Sequence, residues 1–403
     1  MEKIITRDLH AILEEYVLFP VIAILGPRQS GKTILAREAF PNHRYVNLEL
    51  PADLAYVMND PKGFFREYEN AQGIIIDEFQ RAPEILSYIQ VISDEQKRPG
   101  YFVLTGSQNF LMNSAITQSL AGRIGIVNLF PLSIHELSMA NLLPDTALQL
   151  IVQGGYPRIW NTGLSPEFFY PSYIQTYVER DVRSLTNVGN ISTFQKFIAL
   201  CAGRIGQLLN VSELAAVCGI SRPTAHNWLS ILEATYILFQ LQPYHTNFNK
   251  RLTKSPKLYF HDTGLACSLL GINTAQDLMN SPFRGPLFEN LIIADLYKQF
   301  AHSGHRPSLY FWRDSSGSLE IDCLIEIRAF TTVVPIEIKA GETIVSNFFT
   351  NITKWSEQAQ VAIPERYIVY GGHQAQQRTA GRVVGWQEAG NIIKHLLAPS
   401  QSN

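Results

Sequence analysis

The stretch PVIAILGPRQSGKTILAREAF, residues 20–40, decides how this chain is read. Residues 20–25 form an apolar run of the kind that makes a strand buried on both faces. Gly-Pro-Arg-Gln-Ser-Gly-Lys-Thr follows over residues 26–33, then an amphipathic run that stops before Pro41. A strand, Gly-x-x-x-x-Gly-Lys-Thr and a helix, in that order, are the setting a phosphate-binding loop requires. Gly26 and Gly31 let the backbone curl so that its N–H groups and the helix N-terminus face phosphate. The expected nucleotide-binding residues are therefore Gly26, Pro27, Arg28, Gln29, Ser30, Gly31, Lys32 and Thr33. In that role Lys32 reaches the β- and γ-phosphates and Thr33 holds Mg²⁺.

Working outward, residues 73–78 read Gly-Ile-Ile-Ile-Asp-Glu, an apolar strand ending in two acids. Asp77 at the strand tip suits indirect coordination of Mg²⁺, and Glu78 suits polarising an attacking water. A third strand, residues 101–108, ends in polar side chains that could sense a γ-phosphate. Ser107 or Gln108 is the candidate there, with Thr105 a third choice. The set predicts hydrolysis of ATP to ADP and phosphate, with ATP and Mg²⁺ as cofactors.

The GPRQSGKT loop, the IIIDEFQ and LTGSQ strands and the SLAGR box ending at Arg123 together resemble the AAA+ ATPases. The likeness is closest to a widespread prokaryotic family that joins an AAA-type core to a C-terminal domain of long-unassigned function, and it runs to about residue 135. It implies a ring-shaped homo-oligomer, a hexamer, in which an arginine completes the neighbouring subunit's site. Arg123 is the first candidate for that arginine. Arg180 and Arg183, in a helical region beyond the core, are the alternatives.

The implied fold class is α/β: an AAA+ core of αβα type over residues 1–145, followed by three further units. Residues 146–205 read as a helical lid, interrupted by Gly-Gly-Tyr-Pro at 154–157 and by Pro171. Residues 206–272 read as a winged helix-turn-helix. A short helix ends near Gly219, and a second starts with a Ser221 cap and a proline in its first turn. The second helix offers Arg222, Thr224, His226 and Asn227 outward, and the following strands flank a loop containing Lys250, Arg251, Lys254 and Lys257 without an acid. Such a run suits phosphate contacts on DNA.

Residues 273–403 resemble the PD-(D/E)xK, restriction-endonuclease-like fold. A helix carries Glu289, a hairpin strand carries Asp322, and alternation along Val-Val-Pro-Ile-Glu-Ile-Lys, residues 333–339, puts Glu337 and Lys339 on one face. In active members of that fold the carboxylates bind Mg²⁺ and the lysine positions the nucleophile. Glu289, Asp322 and Glu337 thus form a candidate second metal site with Lys339 adjacent.

Composition narrows the partners. The 33 Lys and Arg are balanced by 35 Asp and Glu, so a wholesale basic DNA packer is excluded and any nucleic-acid contact must come from a local patch. Charged residues make up 17%, below the usual value of about 25%, which suggests apolar surface buried between domains or subunits. Cys201, Cys218, Cys267 and Cys323 form no Cys-x-x-Cys pair, arguing against a disulfide framework or a zinc knuckle. Residues 1–15 lack a signal-peptide core, and the apolar run at 17–26 is broken by Pro20, so a cytoplasmic chain without membrane contact is expected. Three functions follow. One is an ATP-driven motor that remodels or translocates branched or duplex DNA, as a helicase or junction branch-migration enzyme does. The others are a nucleotide-operated switch that binds protein or operator DNA, and an ATP-gated, Mg²⁺-dependent nuclease.

Overall fold

The computed structural model describes residues 5–107, 120–178, 191–245 and 254–397. Strand β1 (Val21–Leu25) is buried along its whole length. It sits in a five-stranded parallel sheet with β2 (Arg44–Asn47), β3 (Ile74–Asp77), β4 (Phe102–Gly106) and β5 (Ile124–Asn128), in the order β2-β3-β4-β1-β5. Alternation along β1 sends Ile22 and Ile24 toward Leu9, Leu13, Leu35 and Ala36. It sends Val21, Ala23 and Leu25 toward Ile85, Leu86 and Ile89 on the opposite face. Helices thus cover both faces of the sheet, which is why β1, β3 and β4 read as unbroken apolar runs.

A second sheet has eight strands in the order β12-β13-β11-β10-β9-β8-β6-β7. They are β6 (Leu238–Pro243), β7 (Lys257–Phe260), β8 (Leu309–Arg313), β9 (Glu320–Arg328), β10 (Thr332–Lys339), β11 (Tyr367–Tyr370), β12 (Gln376–Arg378) and β13 (Gly381–Gly385). Strands β6 and β7 follow the helices Val211–Cys218 and Arg222–Ala234 directly and pair antiparallel with each other. Side-chain caps from Asn210 and Ser221 start those two helices. Strand β6 then pairs parallel with β8 through Gln242–Tyr310 and Pro243–Phe311, so the strands after the helix pair continue into the C-terminal sheet.

The interior follows the same continuity. One buried cluster runs from Leu132 and Tyr156 through Phe197, Trp228 and Phe260 to Ile293, Ile336 and Trp386. Residues 146–205, residues 206–272 and the inner face of the C-terminal sheet therefore share one core. Burial between segments, rather than a separate core for each, accounts for the low charged fraction. All four cysteines are buried and free. Among the described residues no helix is long and apolar enough to cross a membrane.

Candidate nucleotide site and C-terminal carboxylate cluster

In an open parallel sheet the functional crevice lies beyond the carboxyl ends of the strands, and the expected site residues gather there. Gly26 follows β1 with φ +152°, and a Cβ at this position would lie 2.1 Å from the Leu129 carbonyl oxygen. Only glycine lets the loop leave β1 against its neighbour. The loop closes at Gly31, which precedes the helix Lys32–Ala39. Between the two glycines Gln29 adopts φ 61°, and beyond β3 Glu78 adopts φ 55°. Left-handed conformations at non-glycine residues are costly and tend to collect at functional sites.

Lys32 is buried, and its Nζ donates to the carbonyls of Gly26 (3.1 Å) and Pro27 (2.7 Å). Thr33 Oγ1 donates to Asp77 Oδ2 at 2.9 Å. Asp77 also accepts from Tyr45 at 2.7 Å and from Thr105, its register partner on β4. A hydroxyl beside a buried carboxylate, next to a lysine and a loop of backbone amides, is a hard-oxygen donor set that fits Mg²⁺ and a nucleotide polyphosphate. The side-chain oxygens Ser30 Oγ and Gln29 Oε1, both in the loop, are buried without a hydrogen-bond partner among the described residues. Burial raises the Glu78 carboxyl above its ordinary value, with Lys32 and Arg28 pulling the other way. Gln80 donates to Glu78 and, at 3.3 Å, to the buried Ser107, so it bridges the acid and the sensor candidate.

Two braces hold the loop from outside. Arg7 Nη1 donates to the Ser30 carbonyl (2.7 Å), Nη2 to the Phe130 carbonyl (2.6 Å) and Nε to Glu136 (2.9 Å). Tyr173, in the helical segment after the core, donates to the Arg28 carbonyl at 3.4 Å. Each brace takes up a loop carbonyl. Glu136 is fully buried; burial opposes its charge more than any other single cause, yet Arg7, His302 and the Ser133 N–H together outweigh it and the carboxyl is held down to about 2. Among the described residues only Asp8, Glu136 and His302 bring three potential ligand atoms within 4.8 Å of one another. Arg7 already supplies the positive charge there. Arg7, Tyr45 and Tyr173 were not found by sequence reasoning, because no short motif contains them, and Gln80 was quoted at the end of the IIIDEFQ strand without a role.

Arg123 lies at the other end of the sheet. It immediately precedes β5, whose first residue pairs with Val21, the first of β1. About five residues of strand, roughly 15 Å, separate it from the chain's own loop. Its guanidinium pairs with Asp94 at 2.5 and 3.0 Å. Gln108, Arg180, Arg183, Lys250 and Arg251 lie outside the described residues.

The C-terminal candidates converge. Glu289 comes from the helix Arg284–His302, Asp322 from β9, and Glu337 and Lys339 from β10. Lys339 Nζ lies 2.6 Å from Glu337 Oε2 and 3.7 Å from Asp322 Oδ2, which also accepts from the Ile338 N–H at 2.7 Å. Burial, with Asp322 nearby, raises Glu337 above the ordinary carboxylate range, and burial raises Glu289 as well although Lys257 pulls it the other way.

On the expected DNA face, Arg222, His226 and Asn227 are exposed, as is Lys254. Thr224 is half-buried, and its Oγ1 lies 2.8 Å from the Ser221 Oγ that caps the helix. Lys257 corrects the sequence reading: it is 3% exposed and faces inward, where Glu289 and Glu320 hold its ammonium. Being the first residue of β7 it must follow the strand's direction, and that direction is into the C-terminal cluster.

Residues 18–138 match the AAA domain family, residues 145–276 a domain of unknown function (DUF8612) and residues 284–388 another (DUF4143). Over 314 residues, 76% of this chain, the sequence is 30% identical to the uncharacterized protein Rv2008c of Mycobacterium tuberculosis and covers 68% of it. The chain belongs to that family. An uncharacterized protein of Haemophilus influenzae is 23% identical over 298 residues, 64% of this chain and 72% of its own length. Among solved structures, the Walker-type ATPase of Pyrococcus abyssi aligns with a TM-score of 0.45 at 16% identity, over 66% of this chain and 96% of that one. In this family member the domain match at residues 18–138 coincides with the five-stranded sheet and its loop, and the core is an AAA-type ATPase domain.

Proposed function

We propose that the protein hydrolyses ATP and uses the resulting movement to act on DNA as an oligomeric motor. The observation that carries the catalytic half is the convergence of Lys32, the Thr33–Asp77 pair and Glu78 at one sheet edge. The chemistry a bound Mg²⁺ would supply is positive charge that offsets the charge of the phosphates. Thr33 and Asp77 would hold it, Lys32 would meet the β- and γ-phosphates, and Glu78 would orient the attacking water. Ser107, reached from Glu78 through Gln80, would report whether the terminal phosphate is present. Tyr173 gives the helical segment a direct hold on the loop, so a change at the phosphates reaches the helices beyond the core.

Arg123 supports assembly into a ring. Its distance from its own loop leaves a neighbour's site as the one it would complete, after release from Asp94. Arg123→Ala is expected to bind nucleotide as the wild type does and to lose turnover by about 10³-fold, read by phosphate release and nucleotide fluorescence side by side. Retained turnover would move the role to Arg180 or Arg183.

For DNA the support is the exposed face of the Arg222–Ala234 helix, bearing Arg222 and Asn227, with Lys254 also at the surface. The test is phosphate release with duplex, single-stranded and four-way-junction DNA, with Lys32→Ala as the blank. One DNA form should stimulate turnover by roughly tenfold, and the gain should fall steeply between about 50 and about 200 mM salt. Turnover indifferent to every DNA would sink the motor. One observation favours a second reading, a nucleotide-operated switch whose helix pair docks a protein. Of the four cations expected on the wing, Lys257 is turned inward, which removes a phosphate contact.

A further inference from the structure

The PD-(D/E)xK likeness implies a divalent metal among Glu289, Asp322 and Glu337, and the residues around these three decide whether one fits. A Mg²⁺ ion needs its oxygens about 2.0–2.1 Å away in near-octahedral array. The oxygens of this trio are not gathered for that, since they form no group with three ligand atoms within 4.8 Å. Each also has one oxygen engaged, while the second Glu337 oxygen, Oε1, is buried with no hydrogen-bond partner among the described residues. Asp322 Oδ2 accepts from the Ile338 N–H at 2.7 Å, and Glu337 Oε2 lies 2.6 Å from Lys339 Nζ. Glu289 Oε1 accepts from Tyr259 and from Lys257, the latter at 3.2 Å.

Lys257 is the decisive group. Its side chain is 4% exposed, and its ammonium is ion-paired with both Glu289 and Glu320. The backbone leaves it no other place. Lys257 is the register partner of Leu241 on β6 and forms an isolated bridge with Leu208, so both neighbours pin the start of β7. A divalent ion at the trio would sit beside this buried ammonium, where like charges in a low-dielectric interior repel strongly. The site therefore does not fit the metal that the fold resemblance implies.

We infer that Lys257 stands in place of a divalent cation in the C-terminal carboxylate cluster, so that this domain does no metal-dependent cleavage and the cluster instead fastens the helix-turn-helix segment to the C-terminal sheet. The elements joined are β7, which follows the helix pair, the helix carrying Glu289, and β9, which carries Glu320 and Asp322. Breaking the clasp should open a cation site behind it, while the shared core and the β6–β8 pairing still hold the helix pair in place. The inference does not depend on ATP hydrolysis.

The test is a Mn²⁺ titration of the full chain without nucleotide, reading free Mn²⁺ by electron paramagnetic resonance. Wild type and Asp322→Asn should bind Mn²⁺ alike. Lys257→Met should gain one site at least about tenfold tighter than any in the wild type, and adding Asp322→Asn should remove it. A wild-type site that disappears in Asp322→Asn overturns the inference. So does a Lys257→Met chain with wild-type circular dichroism that gains no site. Should Lys257→Met fail to fold, Lys257→Gln keeps two N–H donors for the carboxylates and takes its place, while the comparison of wild type with Asp322→Asn decides alone in either case.

Discussion

Glu78→Gln will keep nucleotide bound and stop hydrolysing it. The expected loss of turnover is about 10²–10⁴-fold, the range a positioned general base contributes. Nucleotide affinity should stay within about threefold, because on the proposed reading the phosphates would be held by the loop, Lys32 and the Thr33–Asp77 pair, which Glu78→Gln leaves unchanged. Glutamine has nearly the same volume, and glutamine at position 29 already tolerates positive φ, so the backbone at position 78 (φ 55°) is not newly strained. Single-turnover phosphate release set against a nucleotide-binding isotherm separates the two quantities. Lys32→Ala provides the contrast, losing both. The pH profile gives an independent sign. Glu78 must be ionised to take a proton, and burial holds its carboxyl above the ordinary value of 4.5. The acidic limb of the turnover profile should therefore lie above 4.5, and turnover should fall as pH drops through it. Turnover within about twofold of wild type in Glu78→Gln would mean that another group activates the water.

What could be read from sequence was what lies close together in sequence. The loop, its strand and its helix are contiguous, and each needs a residue type that has few other uses at that position, so residues 20–40 and 73–78 were legible. The same holds for the cap at Ser221, which satisfies the Thr224 amide three residues away. The braces were not legible. Arg7 meets Glu136 across 129 positions and Tyr173 meets Arg28 across 145, and a lone arginine or tyrosine carries no local pattern. The left-handed backbone at Gln29 and Glu78 was equally hidden, since neither is a residue type that announces it. Lys257 is the instructive error. A run of cations without acids reads as a solvated wing, but a charge run does not specify direction. Strand alternation does, because Lys257 and Tyr259 lie two apart and both reach Glu289. That period-two pair was present in the sequence and was the available signal. The pairing of β6 with β8, which merges the strands after the helix pair with the C-terminal sheet, joins residues 242 and 310 and had no local trace.

The second large effect belongs to Arg7, and it separates two roles that one side chain combines. Arg7→Met leaves Glu136 buried with its main cation gone, and breaking one half of a buried pair costs about 3–5 kcal/mol. The urea midpoint should fall accordingly. The same change also removes the donor to the Ser30 carbonyl, so the loop loses the brace that fixes its amides toward phosphate. Adding Glu136→Gln to Arg7→Met removes the unpaired charge and should recover much of the stability. It cannot restore the Ser30 contact, so nucleotide affinity should stay low, by roughly tenfold for one charge-assisted hydrogen bond. Acid titration of the wild type tests the pair without a mutation. Glu136 is held down to about 2 against an ordinary 4.5, so its contribution is full above 4.5 and is lost as pH falls toward 2. In the double variant that stretch of the stability curve should flatten. If affinity returns together with stability in the double variant, Arg7 serves only to neutralise Glu136. If stability returns and affinity does not, the loop's geometry depends on a residue that precedes β1 and on the segment that leaves β5, and the nucleotide site is then coupled to the rest of the chain through residues 129–136. The helix Arg284–His302 meets that segment directly, with Asp295 accepting from the Ile134 N–H at 2.8 Å and Lys298 donating to the Leu132 carbonyl at 3.1 Å.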